Sequence, residues 1–200
     1  MRPRRSSRRV PLRVYVVDNG GQWTHREWRV LKYLGTDARV VPNTTPWEQL
    51  QDADGVVHSG GAPHGVTLAT MGACPEHLAK LPRPILGICA GAQVMGLHYG
   101  GTLAPAKQPE FGKATLTLLD RTGGRILAGL PETFVAWENH NDEVARPPPG
   151  FRVLARSENC AMQAMEHDTL PRYAVQFHPE VEHTEHGERV FRNFLDLCRR

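Results

Sequence analysis

The sequence predicts an α/β protein built on a mostly parallel, doubly wound sheet with an added antiparallel strand region. Three observations predict it. Through the first hundred residues, short apolar runs alternate with amphipathic segments and Gly-rich turns. These runs are continuous rather than alternating, as in parallel strands covered on both faces. After residue 100 the pattern changes to short strand candidates separated by Gly/Pro turns, with little helix between them.

The apolar run 12–17 is closed by Asp18-Asn19-Gly20-Gly21, which reads as a buried strand and its turn. A helix follows over about 24–34, with Thr24 as N-cap, Glu27 completing a capping box and Gly35 as the stop. Residues 38–41 form the next strand, 46–50 a short helix, and 55–58 a third strand that runs into Ser59-Gly60-Gly61-Ala62-Pro63. Residues 75–81 look helical, 84–88 form a fourth strand, and 90–98 a helix ended by Gly100-Gly101. In the second half, 114–119, 134–137, 153–155, 161–165 and 173–177 are strand candidates that extend the sheet or add an antiparallel one. A final helix from about Thr184 places Val190, Phe191, Phe194, Leu195 and Cys198 on one face. With no repeat, linker or internal boundary, residues 12–200 read as one domain after a disordered basic tail over 1–11.

Length and charge narrow the function. Two hundred residues suit one sizeable domain and leave no room for a complete multi-domain synthetase. A hydrophobic content of 40% and a mean hydropathy of −0.43 fit a soluble globule, and no run approaches the roughly 20 apolar residues a bilayer needs. The formal charge of +3 is concentrated in five arginines among the first nine residues, and the rest of the chain carries −2. That near-neutral body gives no support to a nucleic-acid-binding face. The tail also lacks the apolar region of a secretory signal, so a cytoplasmic protein is expected. Cys74, Cys89, Cys160 and Cys198 are too widely spaced for a C-x-x-C motif, and free thiols are expected.

The segment Gly87-Ile88-Cys89-Ala90-Gly91 places Cys89 between a strand and a helix, in the layout of a nucleophile elbow. Glycines two residues either side suit so tight a turn, because no Cβ fits where the helix packs on the strand. A thiol at a helix N-terminus also faces the positive end of the dipole, which favours the thiolate. A buried core cysteine beside an ordinary turn would share the same pattern, so the rest of the chain must decide. The strand over 173–177 ends in His178-Pro179-Glu180, which reads as an extended segment. Were that segment beside the Cys89 strand, His178 would serve as base and Glu180 would orient it, completing a Cys–His–Glu triad. After the third strand, Gly61 N–H with Ala90 N–H would make an oxyanion hole worth roughly 2.7–4 kcal/mol per donor. His183 and His186 do not form a zincin motif, and no metal site is expected.

With a Cys elbow, a Gly-Gly loop and a late His-Pro-Glu in this order, the chain resembles the class I (triad) glutamine amidotransferases over about residues 12–198. The resemblance implies a flavodoxin-like fold and attack of Cys89 on the glutamine carboxamide. His178 would shuttle the proton and Glu180 would orient it. Gln93, in the G-x-C-x-G-x-Q position, and the backbone around His140 and Asn141 would hold L-glutamine. Ala92 stands where many members carry histidine, outside the triad.

Within that family, Asp18-Asn19-Gly20-Gly21-Gln22-Trp23, Pro109-Glu110-Phe111-Gly112 and Asn139-His140-Asn141-Asp142-Glu143 look like the stand-alone glutaminase subunits of archaeal-type GMP synthases. The resemblance implies a partner ATP-pyrophosphatase (synthetase) subunit that uses ATP and Mg2+, with no cofactor held in this chain. An amidotransferase of the anthranilate or aminodeoxychorismate type and a free-standing γ-glutamyl hydrolase are the alternatives.

Overall fold

A computed structural model of the protein describes residues 10–62 and 64–199, so most of the expected basic tail lies outside the described residues. The elements run β1 (Arg13–Asp18), α1 (Thr24–Tyr33), β2 (Asp37–Pro42), a 3-10 turn (Trp47–Leu50), β3 (Gly55–His58), α2 (Cys74–Lys80), β4 (Ile85–Ile88) and α3 (Ala90–His98). There follow β5 (Thr102–Leu118), β6 (Thr133–Arg146), β7 (Phe151–Arg156), β8 (Ala164–His167), β9 (Arg172–Val175) and α4 (Gly187–Cys198).

Among the described residues, nine strands join one sheet in the order β2-β1-β3-β4-β9-β8-β7-β5-β6. From β2 to β9 every pairing is parallel; from β9 to β6 every pairing is antiparallel. The expected antiparallel region therefore extends the parallel sheet instead of forming a second one. Strand order reverses at β1, which has β2 on one side and β3 on the other. Such a reversal opens a crevice at the carboxyl ends of the strands, where ligands bind in open α/β sheets.

The continuous apolar runs supply two cores at once, because successive strand side chains point to opposite faces. Val14 and Val16 of β1 pack with Leu31 of α1 and Val190, Phe191 and Phe194 of α4. Tyr15 and Val17 pack on the other face with Leu78 of α2 and Val94 and Met95 of α3. Burying both faces of β1, β3 and β4 fixes the strand ends firmly enough to carry a site.

Several expected elements change. β5 and β6 are 17 and 14 residues long, far beyond the expected 114–119 and 134–137, and form an antiparallel ribbon from Thr102↔Arg146 to Thr117↔Thr133. Most positions of β5 are at least partly solvated, so the ribbon lacks the apolar signal that marks the central strands. β8 covers Ala164–His167 rather than 161–165, and β9 ends at Val175 rather than 177. Thr24 is not the N-cap of α1: that position is Trp23, with no side-chain cap. Instead Thr24 Oγ1 donates to Asp18 Oδ1 at 2.9 Å, because this helix end packs on the loops after β1 and β3. Glu27 forms no capping box and turns into the interior, 1% exposed. Gly35, at φ 84°, does close the helix as expected.

The last helix starts at Gly187, not Thr184, after His186 adopts a left-handed backbone with φ 58°. Thr184 is used elsewhere, its Oγ1 donating to the His178 carbonyl at 2.7 Å and accepting from Trp137 N–H at 2.9 Å. Among the described residues, no helix is long and apolar enough to cross a membrane.

Candidate active site

Four strand ends converge on one cavity. Cys89 follows β4 with φ 50° and ψ −106°, a conformation that costs about 1–3 kcal/mol and persists only where the surroundings impose it. Those surroundings are the flanking glycines. A Cβ on Gly87 would lie 2.4 Å from Gly91 O, and one on Gly91 would lie 2.2 Å from His58 O, so neither position admits a side chain. The elbow expected from the sequence is present, with Ala90 as the first residue of α3.

β9 runs parallel beside β4, and Cys89 N–H donates to Val175 O at 2.8 Å. That bond brings the residues after β9 to the elbow. His178 N–H is held by Trp137 O at 2.9 Å, and its Nδ1 lies 2.7 Å from Glu180 Oε1. The extended segment expected over 178–180 is absent: Pro179 and Glu180 form a turn, with Val181 N–H donating to His178 O at 3.3 Å. The turn lets Glu180 reach back to the ring while Thr184 caps the same carbonyl. Trp23 meets the imidazole edge-on at 4.5 Å between centroids.

His178 and Cys89 share a contact point at Gly60. A Cβ there would lie 2.9 Å from His178 Cε1 and 3.5 Å from Cys89 Cβ. With Nδ1 committed to Glu180, Nε2 is buried and has no fixed hydrogen-bond partner among the described residues. Burial pulls the His178 imidazole down, but the Glu180 charge and the Cys89 sulfur outweigh it and hold His178 well above its ordinary value. The Cys89 sulfur itself accepts from Gln176 Nε2 at 3.6 Å and lies 3.8 Å from Asn139 O.

The cavity, about 350 Å³, is lined by Cys89, His178, Gly61, Ala90, Gln93, His140 and Asn141, among others. Glu180 is absent from the lining and sits behind His178. Gly61 has φ 102°, and its Cα is pressed against Gly21, where a Cβ would lie 2.2 Å from the Gly21 nitrogen. Gln93 spends its Nε2 on Asp142 O at 2.7 Å and Gln176 Oε1 at 3.3 Å, which leaves Oε1 for a ligand.

For His140 the backbone is the part available to a ligand. Its buried imidazole puts Nε2 3.1 Å from Glu110 and 3.4 Å from Glu138, with Nδ1 3.2 Å from Asp142 O. Burial lowers this imidazole, yet the hydrogen bonds to Glu110 and Glu138 raise it to about 10.

Sequence reasoning gave no place in the site to Gln176, Asn139, Trp23 or Glu27, although Trp23 and Asn139 stand in the segments that carry the resemblance. Gln176 was legible as an amide in an otherwise apolar strand end. Glu27 was hidden by the capping-box pattern.

Among the described residues, two clusters bring possible metal-ligating atoms within 4.8 Å of one another, His58–Cys74–His77 and Glu110–His140–Cys160. In the first, His58 Nε2 lies 3.3 Å from His77 Nδ1, His77 Nε2 lies 2.8 Å from Thr45 O, and the Cys74 thiol donates to Asn19 Oδ1 at 3.4 Å. Burial raises the Cys74 thiol to about 12 and lowers both imidazoles, as in a neutral core network. In the second, Cys160 donates to Met162 O at 3.4 Å and the imidazole is committed to the two glutamates. Burial likewise raises the Cys160 and Cys198 thiols.

Residues 15–198 match the glutamine amidotransferase class-I family. A relative from Thermoplasma volcanium, named as a subunit of glutamine-hydrolyzing GMP synthase, is 48% identical over 94% of this chain and 92% of its own. One of the same name from Thermococcus kodakarensis is 46% identical over 92% of this chain and 98% of its own. A crystal structure from Thermoplasma acidophilum, described as that of a GMP synthase subunit, superposes with a TM-score of 0.90 at 47% identity, covering 96% of each chain. Because the family match runs from the first strand to the last helix, taking in the elbow and the His178 turn, the chain belongs to the class I glutamine amidotransferases.

Proposed function

We propose that the chain is the glutamine-hydrolysing subunit of a two-subunit GMP synthase. Cys89, His178 and Glu180 are its catalytic residues. The observation that carries this reading is the convergence of Cys89 and His178 on one cavity in a chain nearly half identical to proteins named as glutamine-hydrolyzing GMP synthase subunits.

In this reading, the Cys89 thiol gives its proton to His178, and Sγ attacks the side-chain carbonyl carbon of L-glutamine held by Gln93 and the backbone of His140 and Asn141. The C–S bond forms as the carbonyl electrons move to oxygen, which Gly61 N–H and Ala90 N–H receive. The His178 imidazolium protonates the leaving nitrogen, the C–N bond breaks, and ammonia departs from a γ-glutamyl thioester. Water then gives a proton to His178 and adds to the thioester, releasing glutamate and restoring the thiol. Glu180 stabilises the imidazolium formed along the way and fixes which nitrogen carries the proton.

The ammonia goes to XMP that a separate ATP-pyrophosphatase subunit has adenylylated with ATP and Mg2+, and the product is GMP. That subunit docks over the cavity mouth and keeps ammonia from solvent. The chain itself needs no cofactor, residues 12–200 act as one amidotransferase domain, and the work takes place in the cytoplasm.

The test is reconstitution with the synthetase subunit, XMP, ATP and Mg2+. His178→Ala is expected to abolish glutamine-dependent GMP formation while synthesis from added ammonium persists. Equal loss of both activities in a folded variant, or no glutamine-dependent synthesis by the parent complex, would contradict the reading.

A further inference from the structure

Glu27 matches a capping-box position in the sequence, but the fold gives it a different place. It lies on α1 and is 1% exposed, and it lines the same cavity as Cys89, His178, Gly60 and Gly61. Gly60 N–H donates to Glu27 Oε1 at 3.4 Å, while Oε2 is buried without a hydrogen-bond partner among the described residues. Burying a polar oxygen unpaired costs about 1–3 kcal/mol, so an apolar side chain would serve better here if space-filling were the whole task.

We propose, resting on the glutaminase reading above, that Glu27 is a positioning residue: through Gly60 it holds the loop that presents Gly61 N–H to the oxyanion. Several contacts bear on that loop. Glu27 accepts from its Gly60 amide, Ser59 Oγ donates to Gly60 O at 2.9 Å, a Cβ on Gly60 would lie 2.9 Å from His178 and 3.5 Å from Cys89, and a Cβ on Gly21 would lie 2.5 Å from Gly60 O. Releasing the Glu27 end frees the Gly60 amide to move, while the Ser59 Oγ bond to Gly60 O and the packing on Gly21 stay in place. An oxyanion hole acts only if its donors are already aimed at the oxygen, so the loss falls on the transition state rather than on substrate binding.

The groups facing this carboxyl are Glu180 and His178 after β9 and Cys89 at the elbow. Burial, and then the charge of Glu180, hold Glu27 well above the usual carboxylate range.

The test compares three variants of the full chain with the synthetase subunit present, reading kcat and KM for glutamine and the thermal midpoint of each. Glu27→Met fills the space without an acceptor, and Glu27→Asp keeps a carboxyl but not its reach. Each is expected to lose at least about tenfold in kcat with KM within about threefold. Glu27→Gln keeps both reach and acceptor, and is expected to recover kcat to within about threefold of the parent.

Parental kcat in Glu27→Met or Glu27→Asp, or a Glu27→Gln as slow as Glu27→Met, would overturn the assignment. Should Glu27→Met lose its fold, Glu27→Asp against Glu27→Gln decides the matter. A parent that neither turns over glutamine nor reacts at Cys89 would instead defeat the glutaminase reading itself.

Discussion

The His178 imidazole is bound at 2.7 Å to a carboxylate two residues further along the chain, Glu180, through a turn that reverses the backbone between them. Both side chains are almost fully buried, and Thr184 Oγ1 caps the His178 carbonyl at 2.7 Å. The hydrogen bond that orients the ring is thus a short local one, and Trp23 from beside α1 meets the ring edge-on.

Glu180→Gln keeps the shape of this device and removes its charge. The carboxylate is a main cause of the raised His178 proton affinity, so its loss lets burial pull the imidazole down. We expect kcat for glutamine to fall by about 10² or more, and the inflection of kcat/KM with pH to move to lower pH. A pH–rate profile of the variant against the parent checks both.

His140 makes stability depend on pH. Its folded pKa, about 10, is raised above the ordinary 6.5, so its contribution is complete below about 6.5 and is lost as pH climbs toward 10. Urea midpoints measured across that interval should fall in the parent and fall less in His140→Gln. The substitution itself should cost about 3–5 kcal/mol, because Glu110 and Glu138 lose their buried counter-charge.

Gly91→Ala should damage both fold and activity. Its Cβ would stand 2.2 Å from the His58 carbonyl oxygen, a backbone atom that cannot swing aside, and a cost of about 1–3 kcal/mol is expected. Gly35→Ala has no described atom within 4 Å of the new Cβ and a φ of +84°, so only the left-handed strain of about 1–2 kcal/mol applies. Thermal midpoints should rank Gly91→Ala below Gly35→Ala, and glutaminase activity should survive in the latter alone.

Gln176→Leu removes the amide that donates to Cys89 Sγ and also accepts from Gln93. Leaving Gln93 Nε2 one partner short and the sulfur without its donor should cost about 1–3 kcal/mol in kcat/KM. Steady-state kinetics on a variant with a parental thermal midpoint measures it.

The central fold was legible because β1, β3 and β4 are buried on both faces and show it as unbroken apolar runs. The elbow was legible because steric crowding at Gly87 and Gly91 leaves glycine as the residue that fits. β5 and β6 were not, since a partly solvated ribbon needs no apolar run. Glu27 and Thr24 misled for another reason: a local capping pattern and a tertiary partner use the same side chains, and here the tertiary partners Gly60 and Asp18 won. Periodicity could not show that Pro179 and Glu180 turn, because the turn rests on single hydrogen bonds: His178 N–H to Trp137 O of β6, and Thr184 Oγ1 to His178 O within the same loop.

The most direct test of the account is covalent trapping with a diazo-ketone analogue of glutamine, followed by digestion and mass spectrometry of the peptides. One adduct is expected, on Cys89, prevented by excess glutamine, missing in Cys89→Ala and slowed in His178→Ala. An unmodified Cys89, or an adduct on Cys74, Cys160 or Cys198 instead, would contradict the assignment of Cys89 as the nucleophile.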